Sequence, residues 1–319
     1  MNIKEKKPKI SVFLPIYNQE NYIKRCISSI QNQNLKSIEI IAINDYSNDE
    51  TLNILKDYAK DDNRIKIVNN DKNHGLLYSR AMGILNSSGE YIMNIDPDDE
   101  LKGNDSLAFL YNQTIISNAD IITFDIYNER TKKIIKCSNK DIIQRQPGLF
   151  ESIFNKKNEI KDYLIWNKLI RREIFIKAYE FFKEEIYNYK WNYFEDDIWN
   201  ILVNRYAKSK LCLNKLIYIY HYNPDSLISK RFGLIEFQNL LYRHEMYKRL
   251  FKKSNEEKYL IAEYYFLLNR LKWEKKYLLL INDIKIKKHI IKIFKFFMKN
   301  YKCSRRQMKK INNFIKSII

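Results

Sequence analysis

Hydrophobic positions in the first 127 residues alternate between two periods. Residues 9–15 (KISVFLP), 38–44 (IEIIAIN), 64–70 (RIKIVNN) and 91–95 (YIMNI) are short, apolar and rich in β-branched side chains. Nearly continuous apolar runs of this length mark strands buried on both faces. Between them, residues 20–32 place Tyr22, Ile23, Cys26, Ile27 and Ile30 at helical spacing. A second helix carries Leu52, Leu55 and Tyr58 on one face, with Asp49 as its expected cap, and a third covers 76–86, with Gly89 closing that unit. Strands alternating with helices imply a parallel, doubly wound sheet. Beyond residue 99 the pattern predicts a helix over 105–117, a strand over 119–127 and a hairpin or loop over 130–147. From about 233 it is helical and basic to the end, and no internal repeat occurs.

In a doubly wound sheet, ligands bind outside the carboxyl ends of the strands. Three polar stretches fall at such ends: Pro15-Ile16-Tyr17-Asn18, Asn44-Asp45 and Asp96-Pro97-Asp98-Asp99. The last sets three carboxylates at the end of a buried strand, where they repel one another and are costly to desolvate. Asp96 and Asp98 form a DxD, a spacing at which two carboxylates can share a hard divalent cation with phosphate oxygens. Neither a glycine-rich phosphate loop ending in Gly-Lys-Ser/Thr nor a dinucleotide fingerprint is present. A nucleotide on this fold is therefore expected to be gripped through metal, as suits a nucleotide-sugar donor whose departing diphosphate needs charge stabilisation.

The bulk numbers narrow the class. The chain has 319 residues, 45% hydrophobic, enough for one large domain or two smaller ones, and its 6 Gly and 5 Pro argue against a disordered or low-complexity chain. The 4 Cys are dispersed with no CxxC pair, which disfavours a disulfide framework or a cysteine zinc site and fits a reducing cytoplasm. The first 19 residues lack the pattern of a signal peptide, and no apolar run of about 18 or more suggests a spanning helix. Net charge is +19, and from Lys248 onward 21 Lys and Arg face 5 Asp and Glu. In 288–302, Lys288, Lys292, Lys295, Lys299 and Lys302 recur opposite Ile290, Ile293, Phe294, Phe297 and Tyr301. Such a basic amphipathic helix either packs on a core with its lysines solvated or docks on an anionic membrane surface. No nucleic-acid-binding motif accompanies the charge, so no nucleic-acid partner is expected.

Six stretches in order, ISVFLPIYNQENYIKRCISSIQNQ, IEIIAINDYSNDET, NHGLLYSRAMGILNSSGEYIMNIDPDDEL, WNKLIRREIF, FEDDIWN and IYHYNPDSLIS, cover about residues 9–230. Together they resemble the family 2 glycosyltransferases of bacterial surface-polysaccharide type. That resemblance implies an α/β fold of the GT-A kind, a doubly wound mixed sheet flanked by helices. It implies a glycosyltransferase domain over 1–230, with a donor half at about 9–127 and an acceptor half at about 128–230, and leaves 231–319 as a basic helical extension. It implies a Mn²⁺ or Mg²⁺ cofactor, a nucleotide-sugar donor with uracil as the expected base, and a saccharide or lipid-linked acceptor. The protein would be cytoplasmic, or peripheral on the inner membrane face.

Residue by residue, the resemblance implies that Pro15, Tyr17 and Asn18 line the donor-base pocket, with Asp45 hydrogen-bonding the base and His74-Gly75 turning nearby. Asp96 would hold the ribose or assist the metal. Asp98 would be the principal metal ligand, Asp99 would share either role, and His221 would be either a third ligand or a structural residue. Arg80 would meet the phosphates or lie on a solvated helix face. Asp196 in FEDDIWN would be the general base and Glu195 would position the acceptor. The bland alternative for that pair is an acidic helix N-terminus. Trp166 and Lys168 would contact the acceptor, or else pack inside and face solvent respectively. Tyr46 stands where the family pattern has Gly. Two other classes compete: a DxD phosphatase of haloacid dehalogenase type, and a non-catalytic basic membrane-binding protein.

Overall fold

The computed structural model describes residues 7–138, 140–145, 164–187, 192, 195–226 and 249. By backbone contacts the chain divides into two units, residues 1–153 with 162–231 and residues 154–161 with 232–319. The described residues other than Arg249 belong to the first. The basic amphipathic stretch 288–302 lies outside the described residues.

The elements run β1 (Ile10–Ile16), α1 (Ile23–Gln31), β2 (Ile38–Asn44), α2 (Thr51–Asp61), β3 (Ile65–Asn69), α3 (Leu76–Asn86), β4 (Tyr91–Asn94), β5 (Glu100–Leu101), α4 (Ser106–Ser117), β6 (Ile121–Asn128), β7 (Lys133–Ile135), β8 (Ile142–Arg145), β9 (Lys168–Arg171), α5 (Arg172–Ile186), α6 (Glu195–Tyr206) and β10 (Ser209–Tyr220). One mixed sheet has the strand order β3-β2-β1-β4-β9-β6-β10-β5. β3, β2, β1 and β4 are mutually parallel, with β1 beside both β2 and β4. Every residue of β1 and β2 is buried, which explains their unbroken apolar pattern. β9 is antiparallel to β4 on one side and to β6 on the other, joining the parallel half to the parallel pair β6 and β10.

Two local expectations change. Residues 130–147 do not form a hairpin of their own: β7 pairs with β6, and β8 pairs with β10. The turn after β6 folds β7 back on β6, while β8 lies antiparallel on the other edge of β10, against Ser209–Cys212, the segment whose opposite edge pairs with β6. The residue flanking α2 is Glu50, with Asp49 one step outside. Asp49 accepts the Thr51 N–H at 3.1 Å and the Glu20 N–H at 3.2 Å, so it ties the loop after β1 to the start of α2. Gly83 in α3 lies against Phe13, where a Cβ has no room, so the helix sits close on the sheet.

Candidate active site

Because β1, β2 and β4 are parallel neighbours, their carboxyl ends share one edge. That edge carries Pro15, Tyr17 and Asn18 after β1, Asp45 after β2, and Asp96, Asp98 and Asp99 after β4. Pro15 is buried, and Tyr17 and Asn18 are exposed. Asp45 is buried, and its carboxylate accepts from Asn70 Nδ2 at 2.7 Å, from the His74 N–H at 2.9 Å and from the Gly75 N–H at 2.8 Å. Gly75 has φ 94°, a conformation glycine takes without a Cβ penalty, and this lets the turn close on Asp45. His74 stacks on Tyr78 with ring centroids 4.0 Å apart.

The acidic turn sorts its three carboxylates by environment. Asp99 is fully buried. Its Oδ2 accepts from Tyr218 Oη at 2.7 Å and its Oδ1 from the His221 N–H at 2.8 Å. The His221 ring lies between Glu100 (3.0 Å) and Glu129 (3.1 Å). Asp99 and His221 thus brace the turn from inside. Asp96 and Asp98 are the two with partial exposure. Asp98 accepts from Asn223 Nδ2 at 2.8 Å, and Arg25 holds its backbone carbonyl. Burial, then the neighbouring Asp96 charge, push the Asp98 carboxyl above the usual carboxylate range. Asp99 is pushed well up by burial and by both neighbours. Among the described residues no three His, Cys, Asp or Glu side chains are arranged to hold an ion, so the expected set Asp98, Asp99 and His221 does not assemble. Asp96 and Asp98 alone fit a hard cation of the Mg²⁺ or Mn²⁺ kind. Such ions are commonly held by one or two carboxylates, with phosphate and water completing the shell.

Arg80 does not lie on a solvated helix face. It is only 2% exposed and projects from α3 into the centre of a carboxylate cluster. Its guanidinium donates to Asn94 Oδ1 at 3.0 Å and Asp96 Oδ1 at 3.3 Å. It also lies 3.0 Å from Asp196 Oδ1 and 3.4 Å from Glu195 Oε1. Burial works against the charged guanidinium, but Asp196, Asp96 and Glu195 outweigh it and hold the proton on more firmly. Glu195 and Asp196 open α6, where the helix dipole favours carboxylates. Glu195 is buried, while the Asp196 side chain keeps 20% exposure. Burial raises both above their ordinary range against the opposing pull of Arg80, Asp196 strongly so. The bland reading of an acidic helix start is therefore incomplete, because these two side chains converge with the DxD turn on one buried cation.

The expected acceptor contacts lie elsewhere. Trp166 is buried, stacked on Tyr220 at 5.5 Å and tilted on Tyr218 at 4.9 Å. Lys168 is fully buried in β9, donating to the Leu164 carbonyl and, at 2.7 Å, to Asn167 Oδ1. Trp166 supports the turn from beneath through Tyr218, whose hydroxyl also accepts the Asp96 N–H at 3.2 Å. Sequence reasoning missed Tyr218, Asn94, Asn223 and Arg25. Asn94 adjoins the DxD and Asn223 lies in IYHYNPDS, so both were within noted motifs. Arg25 lies in the first quoted stretch but on a helix whose apolar face drew the reading, and Tyr218 carried no signal of its own.

A mixed sheet with a DxD at one strand end and an acidic helix start beside it defines an α/β fold with an acidic site at the carboxyl edge of its parallel strands. Residues 11–178 match the model of the glycosyl transferase family 2, more than half of the chain, and the protein belongs to that family. It is 31% identical over 176 residues to glycosyltransferase GlyA of Streptococcus pneumoniae, covering 52% of this chain and 25% of that one. It is 31% identical over 225 residues to the uncharacterized glycosyltransferase EpsJ of Bacillus subtilis (69% and 63%). It is 30% identical over 180 residues to the GalNAc(5)-diNAcBac-PP-undecaprenol beta-1,3-glucosyltransferase of Campylobacter jejuni (53% and 56%). The matches thus span from a quarter to under two thirds of these relatives. The crystal structure of S. aureus TarS in complex with UDP-GlcNAc aligns with a TM-score of 0.68 at 17% identity, over 98% of this chain and 82% of that chain, a likeness of fold.

Proposed function

We propose that this protein is an inverting, metal-dependent glycosyltransferase. It would move a sugar from a UDP-sugar to a saccharide or lipid-linked acceptor in the synthesis of a surface polysaccharide or glycolipid. The observation that carries the reading is one buried cation, Arg80, shared by the donor-side carboxylate Asp96 and the acceptor-side pair Glu195 and Asp196. A transferase needs its leaving-group site and its base fixed relative to each other, and one guanidinium does this here. The family membership, the UDP-GlcNAc complex of the fold relative and the lipid-linked substrate in the Campylobacter relative's name support the substrate class. They also favour transfer over the competing phosphatase chemistry.

In this mechanism Pro15, Tyr17, Asn18 and Asp45 receive the base, and Asp96 the ribose. Asp98, with Asp96, would hold a Mn²⁺ or Mg²⁺ that offsets the charge developing on the diphosphate. Asp196 takes the proton from the acceptor hydroxyl. The acceptor oxygen bonds to the anomeric carbon as the carbon–oxygen bond to the diphosphate breaks, and the electron pair leaves with the diphosphate. One displacement inverts the configuration. Asp196 keeps 20% side-chain exposure at the site, where an acceptor hydroxyl can come within reach of its carboxylate. Glu195, held on the same guanidinium, orients it. The reading keeps a donor half at about 9–127, an acceptor half at about 128–230, and residues 231–319 as a region docking on the anionic inner membrane surface. Among the described residues no helix is long and apolar enough to cross a membrane.

The test is UDP-sugar binding with and without Mn²⁺, for wild type and Asp98→Asn. Metal-dependent binding of one donor, lost in the variant, is expected. Metal-independent or absent binding overturns the reading. Vesicle sedimentation at low salt tests the docking separately, and an unbound protein on anionic vesicles removes that element alone.

A further inference from the structure

Four described non-glycine residues adopt positive φ: Asn18 (51°), Tyr46 (64°), Asn118 (50°) and Lys132 (53°). Asn18 and Tyr46 end the adjacent strands β1 and β2 at the edge described above. The two loops are stitched together: the Asn18 N–H donates to Ser47 Oγ at 3.1 Å, the Asn48 N–H to Asn18 Oδ1 at 3.0 Å, and the Gln19 N–H to Thr51 Oγ1 at 2.7 Å. Asparagine tolerates the left-handed region because its short side chain bonds locally, as Asn18 does here. A bulky tyrosine has no such compensation. Its side chain is 59% exposed and, among the described residues, makes no hydrogen bond and no ring contact. The fold holds a strained aromatic residue where glycine would be relaxed, and among the described residues gains no hydrogen bond or ring contact from it. Strain of this kind at a site edge points to a ligand.

We infer that Tyr46 is a specificity-determining residue of the donor site: its ring, held out by the stitched loops beside the 44%-exposed Tyr17, stacks on the base of the nucleoside diphosphate. The inference rests on the donor-binding reading above and adds to it one further contact. A planar base fits because both aromatic side chains are solvent-facing and rigidly based, and stacking needs no further polar partner.

The experiment separates ring from backbone. UDP, uridine and inorganic pyrophosphate are titrated by calorimetry, in Mn²⁺, into wild type and the Tyr46→Phe, Tyr46→Ala and Tyr46→Gly variants, with melting temperatures in parallel. Binding should follow the ring: Phe binds as wild type, while Ala and Gly bind UDP and uridine about 5- to 100-fold more weakly, a span set by one base–aromatic stack, and pyrophosphate unchanged. Stability should follow the backbone, with Gly melting at or above Ala. If Ala and Gly bind uridine as wild type does, or lose pyrophosphate to the same degree, the inference is overturned. If wild type binds pyrophosphate and no UDP, the donor reading fails and takes this inference with it.

Discussion

Replacing Arg80 with Met keeps the aliphatic bulk in α3 and removes the one charge that Asp96, Glu195 and Asp196 share. At an effective dielectric of about 20, the 3.0 Å contact with Asp196 alone is worth roughly 5 kcal/mol of gross attraction, and the longer contacts slightly less each. Most of that is offset by desolvating the guanidinium and by repulsion among the carboxylates. The net loss on deleting one partner of a buried ion pair is about 3–5 kcal/mol. In a protein of this size that lowers the melting temperature on the order of 10 °C. The loss should depend on pH. Glu195 and Asp196 already have folded pKa values above their unfolded ones, and Arg80 is the group that opposes this rise. Without it they rise further, so the folded variant binds more protons than the unfolded chain, and its stability falls as pH increases through that window. Thermal unfolding followed by circular dichroism, with EDTA present, should therefore show a larger wild-type-to-variant gap at pH 8 than at pH 5.5. Arg80→Lys, which restores one compact charge, should recover part of it. A gap of equal size at both pH values, or one below about 1 kcal/mol, would falsify the idea that Arg80 acts as the counter-ion of this cluster.

Other consequences are more local. Asp196→Asn should lower kcat by about 10²–10⁴-fold with UDP affinity unchanged, as measured by steady-state transfer and calorimetry; parallel loss of UDP binding would make it a donor-site residue instead. Trp166→Ala should destabilise the fold by about 3–5 kcal/mol in denaturant unfolding and leave acceptor KM unchanged, whereas an altered acceptor KM at wild-type stability would return Trp166 to the acceptor site. Glu39 is buried, which opposes its ionisation, yet hydrogen bonds from Lys66, Ser11 and Ser88 bring its pKa down from 4.5 to about 2. Its contribution of about 3 kcal/mol is present above pH 4.5 and is lost as pH falls toward 2, so Glu39→Gln should flatten that acid limb of the stability curve.

The parallel half of the fold was legible because each of β1, β2 and β4 is buried on both faces and writes its burial into consecutive residues. β3, whose burial is only partial, still carried enough β-branched residues to read. β9 was not legible as a strand. It has four residues, contains an apparently solvated Lys168, and owes its place between β4 and β6 to antiparallel pairing that leaves no periodic signature. β10 was not legible for a related reason: its pairing with β6 shifts register between Cys212 and Tyr218, so the strand carries no single period from Ser209 to Tyr220.

The same distinction between local and assembled signals governs the site. The DxD and the acidic start of α6 are local in sequence, and their chemistry could be read from residue type and from the strand or helix terminus each occupies. Which member of each motif is spare is a property of the assembled turn. Asp99 looks as ligand-like as Asp98 until Tyr218, more than a hundred residues later, donates to it from β10. Arg80 looks solvated because a lone arginine in a helix usually is, and nothing between residues 76 and 86 hints that Asp196 will arrive 3.0 Å away. Trp166 and Lys168 erred in the opposite direction, since a Trp and a Lys near a sugar site invite a binding role that burial removes. An acidic motif thus announces that a cation is needed, but not which one. In this protein part of that need is met internally by Arg80, which Asp96, Glu195 and Asp196 share, while the partly exposed Asp98, hydrogen-bonded to Asn223, stands beside them to meet a ligand.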